Sequence, residues 1–88
     1  MTINIKDLKN KITYRANYRG TKEMDKLLGS FVKIYIDQLL DDDLLLLCDL
    51  LDLDDENLYK LNQSLQLTIE IKQNKVTQLL KNYKYVSE

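Results

Sequence analysis

The 88-residue chain has no proline, no histidine and no tryptophan, only two glycines and a single cysteine. A chain without proline and with only two glycines has few positions that favour turns. This composition disfavours sheet architectures and favours helices. One cysteine cannot form an internal disulfide framework, so the composition fits a reducing compartment. Because Cys48 lies within an apolar run, we expect it to be a small buried hydrophobe and not a nucleophile.

The missing residues also exclude classes of chemistry. Without histidine the chain lacks the most common general base and the most common metal ligand. One cysteine cannot build a zinc site, and no glycine-rich loop is present to hold a phosphate or a dinucleotide. The acids of DDDLLLLCDLLDLDD lack the alternating ligands and the central glycine of a calcium loop. We therefore expect no enzyme, no metal site and no cofactor stably bound by this chain.

Membrane insertion and export are not indicated. No apolar stretch approaches the roughly 18 residues that a membrane-spanning helix needs. The opening residues, MTINIKDLKN, have neither the apolar core of a signal peptide nor the composition of a transit peptide. We therefore expect a bacterial cytoplasmic protein. Its length predicts a single domain, residues 1–88, without room for a large internal ligand.

Charge is segregated along the chain, although the formal net charge is only −1. Residues 1–36 carry eight basic and three acidic residues, whereas residues 37–56 carry nine acids and no base. Two interpretations are open: the opposite charges attract each other within one bundle, or the basic first third meets an anionic partner. A nucleic-acid partner is disfavoured by the sequence pI near 5.4.

Apolar residues recur at helical spacing in five stretches, which predicts an all-α protein, a compact five-helix bundle. The expected helices span about 4–19, 21–39, 41–53, 55–63 and 66–84. Caps are predicted from short polar residues at the helix starts: Thr21 for the second helix, Asp41 for the third, and Asp54 or Asp55 for the fourth.

Three further expectations concern packing. Gly29 inside the second helix costs about 1 kcal/mol relative to alanine, so we expect another helix to cross closely there. In the fourth helix, Leu58, Tyr59 and Leu61 are expected to face inward. The segment SLQLTIEIK alternates apolar and polar residues like a strand. Since a lone strand has no pairing partner in this chain, we assign the segment to the fifth helix.

The stretch YRANYRGTKEMD, residues 14–25, joins the first two helices. Arg15 and Arg19 suit the C-terminal end of a helix, Gly20 permits a left-handed turn, and Thr21 restarts the chain. This account does not explain why a guanidinium, a backbone without a side chain and a carboxylate occur within five residues. We expect Arg19, Gly20 and Glu23 to face solvent together at this junction.

The longer stretch YRANYRGTKEMDKLLGSF, followed by an acidic turn and DLLDLDDENLYKL, resembles the succinate dehydrogenase assembly factor two family and its shorter bacterial relatives. The family hallmark Arg-Gly-x-x-Glu corresponds to residues 19–23, and the resemblance covers about residues 12–61. Leu61 stands where family members often carry tryptophan. The resemblance implies a five-helix bundle, in agreement with the helix count.

By resemblance, the chain is an assembly factor that binds the flavoprotein subunit of succinate dehydrogenase and promotes covalent FAD attachment. FAD is then carried by the partner, and the flavoprotein of fumarate reductase is a further conceivable client. We expect the free factor to be a monomer. Arg19 is expected to contact a partner carboxylate or carbonyl and Gly20 to let two backbones approach. Glu23 is expected either to pair with a partner base or to orient Arg19 from one side.

Four neighbouring residues complete the expected partner-binding surface: Tyr14, Arg15, Tyr18 and Lys22. Aromatic residues and arginine are enriched at interface hot spots, but core tyrosines and solvated bases fit the pattern as well. An alternative function is a small regulatory adaptor that binds a basic protein partner through its acidic third helix.

Overall fold

A computed structural model describes residues 4–84, which form five α-helices. These are α1 (Ile5–Asn17), α2 (Lys22–Tyr35), α3 (Asp41–Leu50), α4 (Asp55–Asn62) and α5 (Lys75–Asn82). The described residues contain no strand, so the predicted all-α fold is confirmed. The predicted domain also included residues 1–3 and 85–88, which lie outside the described residues. Within residues 4–84, every helix is too short or too polar to cross a bilayer.

The helix starts follow the predicted caps only in part. Thr21 caps α2 as predicted, because its hydroxyl oxygen accepts a hydrogen bond from the Met24 backbone N–H at 3.3 Å. The predicted cap of α3 is wrong: Leu40 precedes this helix without a side-chain cap, and Asp41 is its first residue. Three acids in the first turn of α3 instead suit the positive end of the helix dipole.

The predicted fifth helix is wrong in its first half, because α5 begins only at Lys75 and residues 65–74 form neither helix nor strand. The buried side chain of Asn57 on α4 holds this segment. Its amide oxygen accepts from the Thr68 backbone N–H at 2.9 Å, and its amide nitrogen donates to the Thr68 hydroxyl at 2.9 Å. A buried amide that is satisfied in this way fixes a non-helical backbone.

The start of α5 is set by a capping box. Asn74 accepts hydrogen bonds from the Val76 and Thr77 backbone N–H groups, and the Thr77 hydroxyl accepts from the Asn74 backbone N–H at 2.8 Å. Because these bonds satisfy the first free amides, the helix begins after Asn74 despite the helical spacing of earlier apolar residues.

All five helices contribute to one hydrophobic core. Each supplies at least one side chain with no solvent exposure, such as Ile12, Phe31, Leu44, Leu58 and Leu80. Leu44 and Leu47 are both fully buried, so α3 contributes to the core as predicted, although Leu45 between them is 39% exposed. Cys48 is only partly buried and packs against this core.

Two packing predictions for individual residues have opposite outcomes. The close crossing at Gly29 is confirmed, because a Cβ atom there would lie 2.4 Å from the side-chain oxygen of Asn17 on α1. On α4, Leu58 and Leu61 are buried as predicted, but the inward orientation of Tyr59 is wrong: its side chain is 50% exposed. Successive residues of a helix point about 100° apart, so Tyr59 cannot share the direction of Leu58.

Candidate functional site

The Arg-Gly-x-x-Glu stretch, residues 19–23, lies at the corner between α1 and α2, here called the α1–α2 corner and comprising residues 18–23. The first helix ends at Asn17, earlier than predicted, and α2 begins at Lys22. Gly20 has a φ of +119°, a conformation that residues with a side chain rarely adopt. A Cβ atom at this position would meet nothing within 4 Å. Glycine is therefore required here by backbone conformation and not by crowding, and the backbone of the corner lies open.

The guanidinium of Arg19 turns inward, so its expected solvent-facing orientation is wrong. Its side chain is only 11% exposed. Nε donates to Oδ1 of Asp55 at 2.9 Å, while Nη1 and Nη2 donate to the carbonyls of Leu51 and Leu53 at 2.8 and 2.7 Å. Both carbonyls belong to the turn between α3 and α4, where no backbone N–H of residues 4–84 donates to them, and a guanidinium fork can satisfy several acceptors at once.

Arg15, one helical turn before Arg19, binds the same turn between α3 and α4. Its Nη2 pairs with the carboxylate of Asp52 and donates to the Leu51 carbonyl at 3.3 Å, and Nη1 lies 3.7 Å from Sγ of Cys48. The hydrogen bond to Asp52 raises the pKa of the Arg15 guanidinium, and burial opposes this shift. Arg15 and Arg19 thus form an arginine clamp that holds the α1 end against the α3–α4 turn.

The ion pairs explain much of the charge segregation. Basic residues of the first third pair with acids of residues 37–56 in three places: Lys9 with Asp37, Arg15 with Asp52, and Arg19 with Asp55. Two further acids of this segment, Asp43 and Glu56, pair with Lys75 and Lys60. Five of its nine acids therefore have partners within the chain. This favours attraction within the bundle and weakens the adaptor hypothesis.

Asp25 on α2 positions the corner backbone, a role that the sequence analysis did not assign. Its Oδ1 accepts from the backbone N–H of Arg19 and from that of Gly20, the latter at 3.3 Å. The sequence signal for this role was a carboxylate in the first turn of a helix, five residues after Gly20. These bonds fix the direction of the corner amides, so that the Gly20 backbone is presented in one conformation.

The remaining hallmark residue, Glu23, is exposed, as is Lys22 beside it. Neither forms an ion pair among the residues that the structure describes. Glu23 therefore faces solvent as predicted, whereas for Lys22 both interpretations from the sequence stay open.

Tyr14 on α1 and Tyr18 just after it form an exposed pair of tilted rings. Their side chains are 65% and 70% exposed, and their ring centroids lie 4.7 Å apart at an interplanar angle of 35°. The interpretation of core tyrosines is therefore wrong for both. Tyrosine has few rotatable side-chain bonds, so its entropy cost of binding is low, and exposed aromatic residues are typical of contact hot spots.

Glu23 also lines an open groove of about 570 Å³, formed where α2 begins and where α4 and α5 end. We call it the α2–α4–α5 groove. Its other lining residues include Met24, Leu27, Tyr59 and Lys81. No group of three or more cysteines and acids in residues 4–84 could hold a metal ion.

The family of the chain follows from a comparison with known proteins. A family model described as flavinator of succinate dehydrogenase matches residues 10–84, which include the α1–α2 corner, the arginine clamp and α5. No curated protein and no solved structure matches the chain. The match extends the resemblance noted in the sequence to the last helix. The chain therefore belongs to the flavinator of succinate dehydrogenase family.

Proposed function

We propose that this chain binds the flavoprotein subunit of succinate dehydrogenase and promotes the covalent attachment of FAD to that subunit. In this proposal the chain is an assembly factor and not an enzyme. The observation that carries it is the open Gly20 backbone beside the exposed carboxylate of Glu23, in a chain of the flavinator family. A bare backbone permits close approach of a second chain, and a carboxylate without an ion pair can accept a charged donor.

The proposed contact surface consists of Tyr14, Tyr18, Gly20, Lys22 and Glu23. Arg15 and Arg19 act as positioning residues, because they hold the corner against the α3–α4 turn with their donors bonded inside the chain. The hallmark arginine therefore contributes through the conformation of the corner and not through an exposed charge.

FAD belongs to the partner in this proposal. The chain has no histidine to form a covalent flavin link, and residues 4–84 offer no glycine-rich turn for its phosphates. The chain acts by binding one conformation of the flavoprotein more tightly than the others, which raises the population of that conformation. The conformation in question is the one in which the flavoprotein reacts with its own FAD.

The test is a reconstitution from purified components. The FAD-loaded flavoprotein subunit is incubated with and without the chain, and covalent flavin is scored by in-gel fluorescence after denaturation. We expect the chain to increase the rate of attachment and Glu23→Gln to remove most of that increase. The double variant Asp41→Lys with Asp42→Lys is the control, since it reverses two exposed charges in the first turn of α3, away from the α1–α2 corner in the sequence.

An unchanged attachment rate with the unaltered chain overturns the proposal. Loss of activity in the Asp41 and Asp42 double variant, with Glu23→Gln fully active, would support the adaptor hypothesis instead. A purified chain that itself retained a flavin would contradict the assignment of FAD to the partner.

A further inference from the structure

The α2–α4–α5 groove unites the free hallmark carboxylate with two lysines that the proposed contact surface does not use. Glu23 lies at the start of α2, whereas Lys81 and Lys84 come from the end of α5 and the residues after it. None of the three forms an ion pair within residues 4–84. The groove therefore contains one negative and two positive side chains that are available to form ion pairs with a binding partner.

An apolar floor connects these charges. Met24 and Leu27 are 6% and 7% exposed and line the groove between α2 and α4. Tyr59 forms part of the wall and is half exposed, although apolar spacing alone placed it inside the bundle. A half-exposed tyrosine in a groove can bury its ring against a binding partner, and tyrosine is enriched at interface hot spots.

Tyr83 stiffens this region of the groove. Its hydroxyl donates to Oγ of Ser30 at 2.7 Å, and its ring packs edge-on against Phe31 with centroids 5.4 Å apart. The end of α5 is thereby fastened to α2. The groove is thus built on fixed elements, which lowers the entropy cost of binding.

We propose that the α2–α4–α5 groove receives a segment of the flavoprotein subunit that carries a lysine or arginine followed closely by an acid. The base pairs with Glu23 while its aliphatic stem lies against Tyr59 and Met24, and the acid pairs with Lys81 and Lys84. This inference rests on the proposed function. It extends the contact surface from the α1–α2 corner to α4 and α5.

The mixed charge of the groove selects a polypeptide over other ligands. A phosphate or nucleotide would be attracted by the lysines but repelled by Glu23 in the same groove. A peptide that carries both signs can pair with the lysines and with Glu23. The volume of about 570 Å³ is also ample for several side chains of an extended segment or a helix end.

Binding to the purified FAD-loaded flavoprotein subunit tests the proposal. We expect Tyr59→Ala and Lys81→Glu each to raise the Kd by about tenfold or more, because each removes a central contact of the groove. Leu40→Ala and Lys33→Glu are matched controls, since both residues are exposed and neither lines the groove. Their Kd values should stay within about twofold of the unaltered chain.

Crosslinking identifies the occupant independently of affinity. A photoreactive phenylalanine analogue at position 59 should crosslink to a flavoprotein segment with adjacent base and acid, whereas the analogue at position 40 should not. Reversing the charge of the base in that segment should weaken binding, and Glu23→Lys should restore it. Circular dichroism of each variant establishes that the helices are retained.

The two proposals fail in different ways. If the unaltered chain neither binds the flavoprotein nor stimulates flavin attachment, the proposed function falls, and the groove inference with it. If the unaltered chain binds and stimulates but Tyr59→Ala and Lys81→Glu do the same, only the groove inference is overturned. Crosslinks from position 59 to a second copy of the chain would likewise overturn it.

Discussion

Arg19 and Asp55 join the α1–α2 corner to the start of α4 by a bond of 2.9 Å between Nε and Oδ1. Their side chains are 11% and 31% exposed, and two backbone carbonyls complete the acceptors of the same guanidinium. Arg19 is therefore part of the internal structure, whereas Gly20 and Glu23 of the same Arg-Gly-x-x-Glu stretch are exposed. The same short motif thus contains one residue that holds the corner in place, Arg19, and two exposed residues, Gly20 and Glu23.

Arg19→Ala should lower the free energy of unfolding by about 2–4 kcal/mol, because it leaves a partly buried carboxylate and the Leu53 carbonyl without their donor and removes the shorter of two bonds to the Leu51 carbonyl. Arg19→Lys should recover only part of this loss, since one ammonium cannot reach three separate acceptors. Urea denaturation followed by circular dichroism measures both values. Lys22→Ala, at an exposed position in the same region, should change stability by less than about 0.5 kcal/mol. Equal stability of Arg19→Ala and the unaltered chain would contradict the clamp.

Replacing Gly20 or Gly29 with alanine should have different effects on the stability of the protein. Gly20→Ala should cost about 1 kcal/mol, because a side chain is strained at a φ of +119° although space is available. Gly29→Ala should change stability by no more than about 0.5 kcal/mol, since the gain in helix propensity offsets the displacement of the Asn17 side chain. Thermal denaturation distinguishes the two variants. In an Asn17→Ala background, Gly29→Ala should become stabilising, and a further loss of stability there would refute this explanation.

Glu23→Gln should separate stability from function. The residue is exposed, so the substitution removes only a favourable charge near the start of α2, worth about 0.5 kcal/mol. Stimulated flavin attachment should nevertheless fall by about tenfold or more if the carboxylate pairs with a partner base. Asp42→Asn is the matched control, because it changes an exposed acid in the first turn of α3. A large drop in melting temperature for Glu23→Gln would mean that the carboxylate is structural.

Asn57→Ala should release the segment of residues 65–74 from α4. The substitution deletes every bond that Asn57 makes to Thr68 and leaves a cavity at a position that is 2% exposed, so we expect a loss of about 2–3 kcal/mol. Hydrogen exchange should show faster exchange of the Thr68 amide. Thr68→Val keeps the backbone bond and should have a smaller effect on both measurements. Unchanged protection of Thr68 in Asn57→Ala would exclude this anchor.

Helix number and type were predictable because they depend on local information. Apolar spacing indicated all five helices, and Thr21 caps α2 as its sequence position predicts. The segment 65–74 was not predictable in this way. Its apolar residues fit both a helix and a strand, and the outcome depends on Asn57, which is 11 residues away from Thr68 in the sequence. A single-sequence pattern contains no information about such a contact.

The amino-acid sequence by itself determined the helical class, the absence of histidine chemistry and the Arg-Gly-x-x-Glu stretch on which the resemblance to the family rests. Only the tertiary structure decided which residues of this stretch are exposed. The acceptors of Arg19 lie 32 to 36 residues further along the chain, so its inward orientation arises only when α3 and α4 pack beside α1. Tyr59 is exposed because of its direction on α4, but it lines a groove only because the start of α2 and the ends of α4 and α5 pack together.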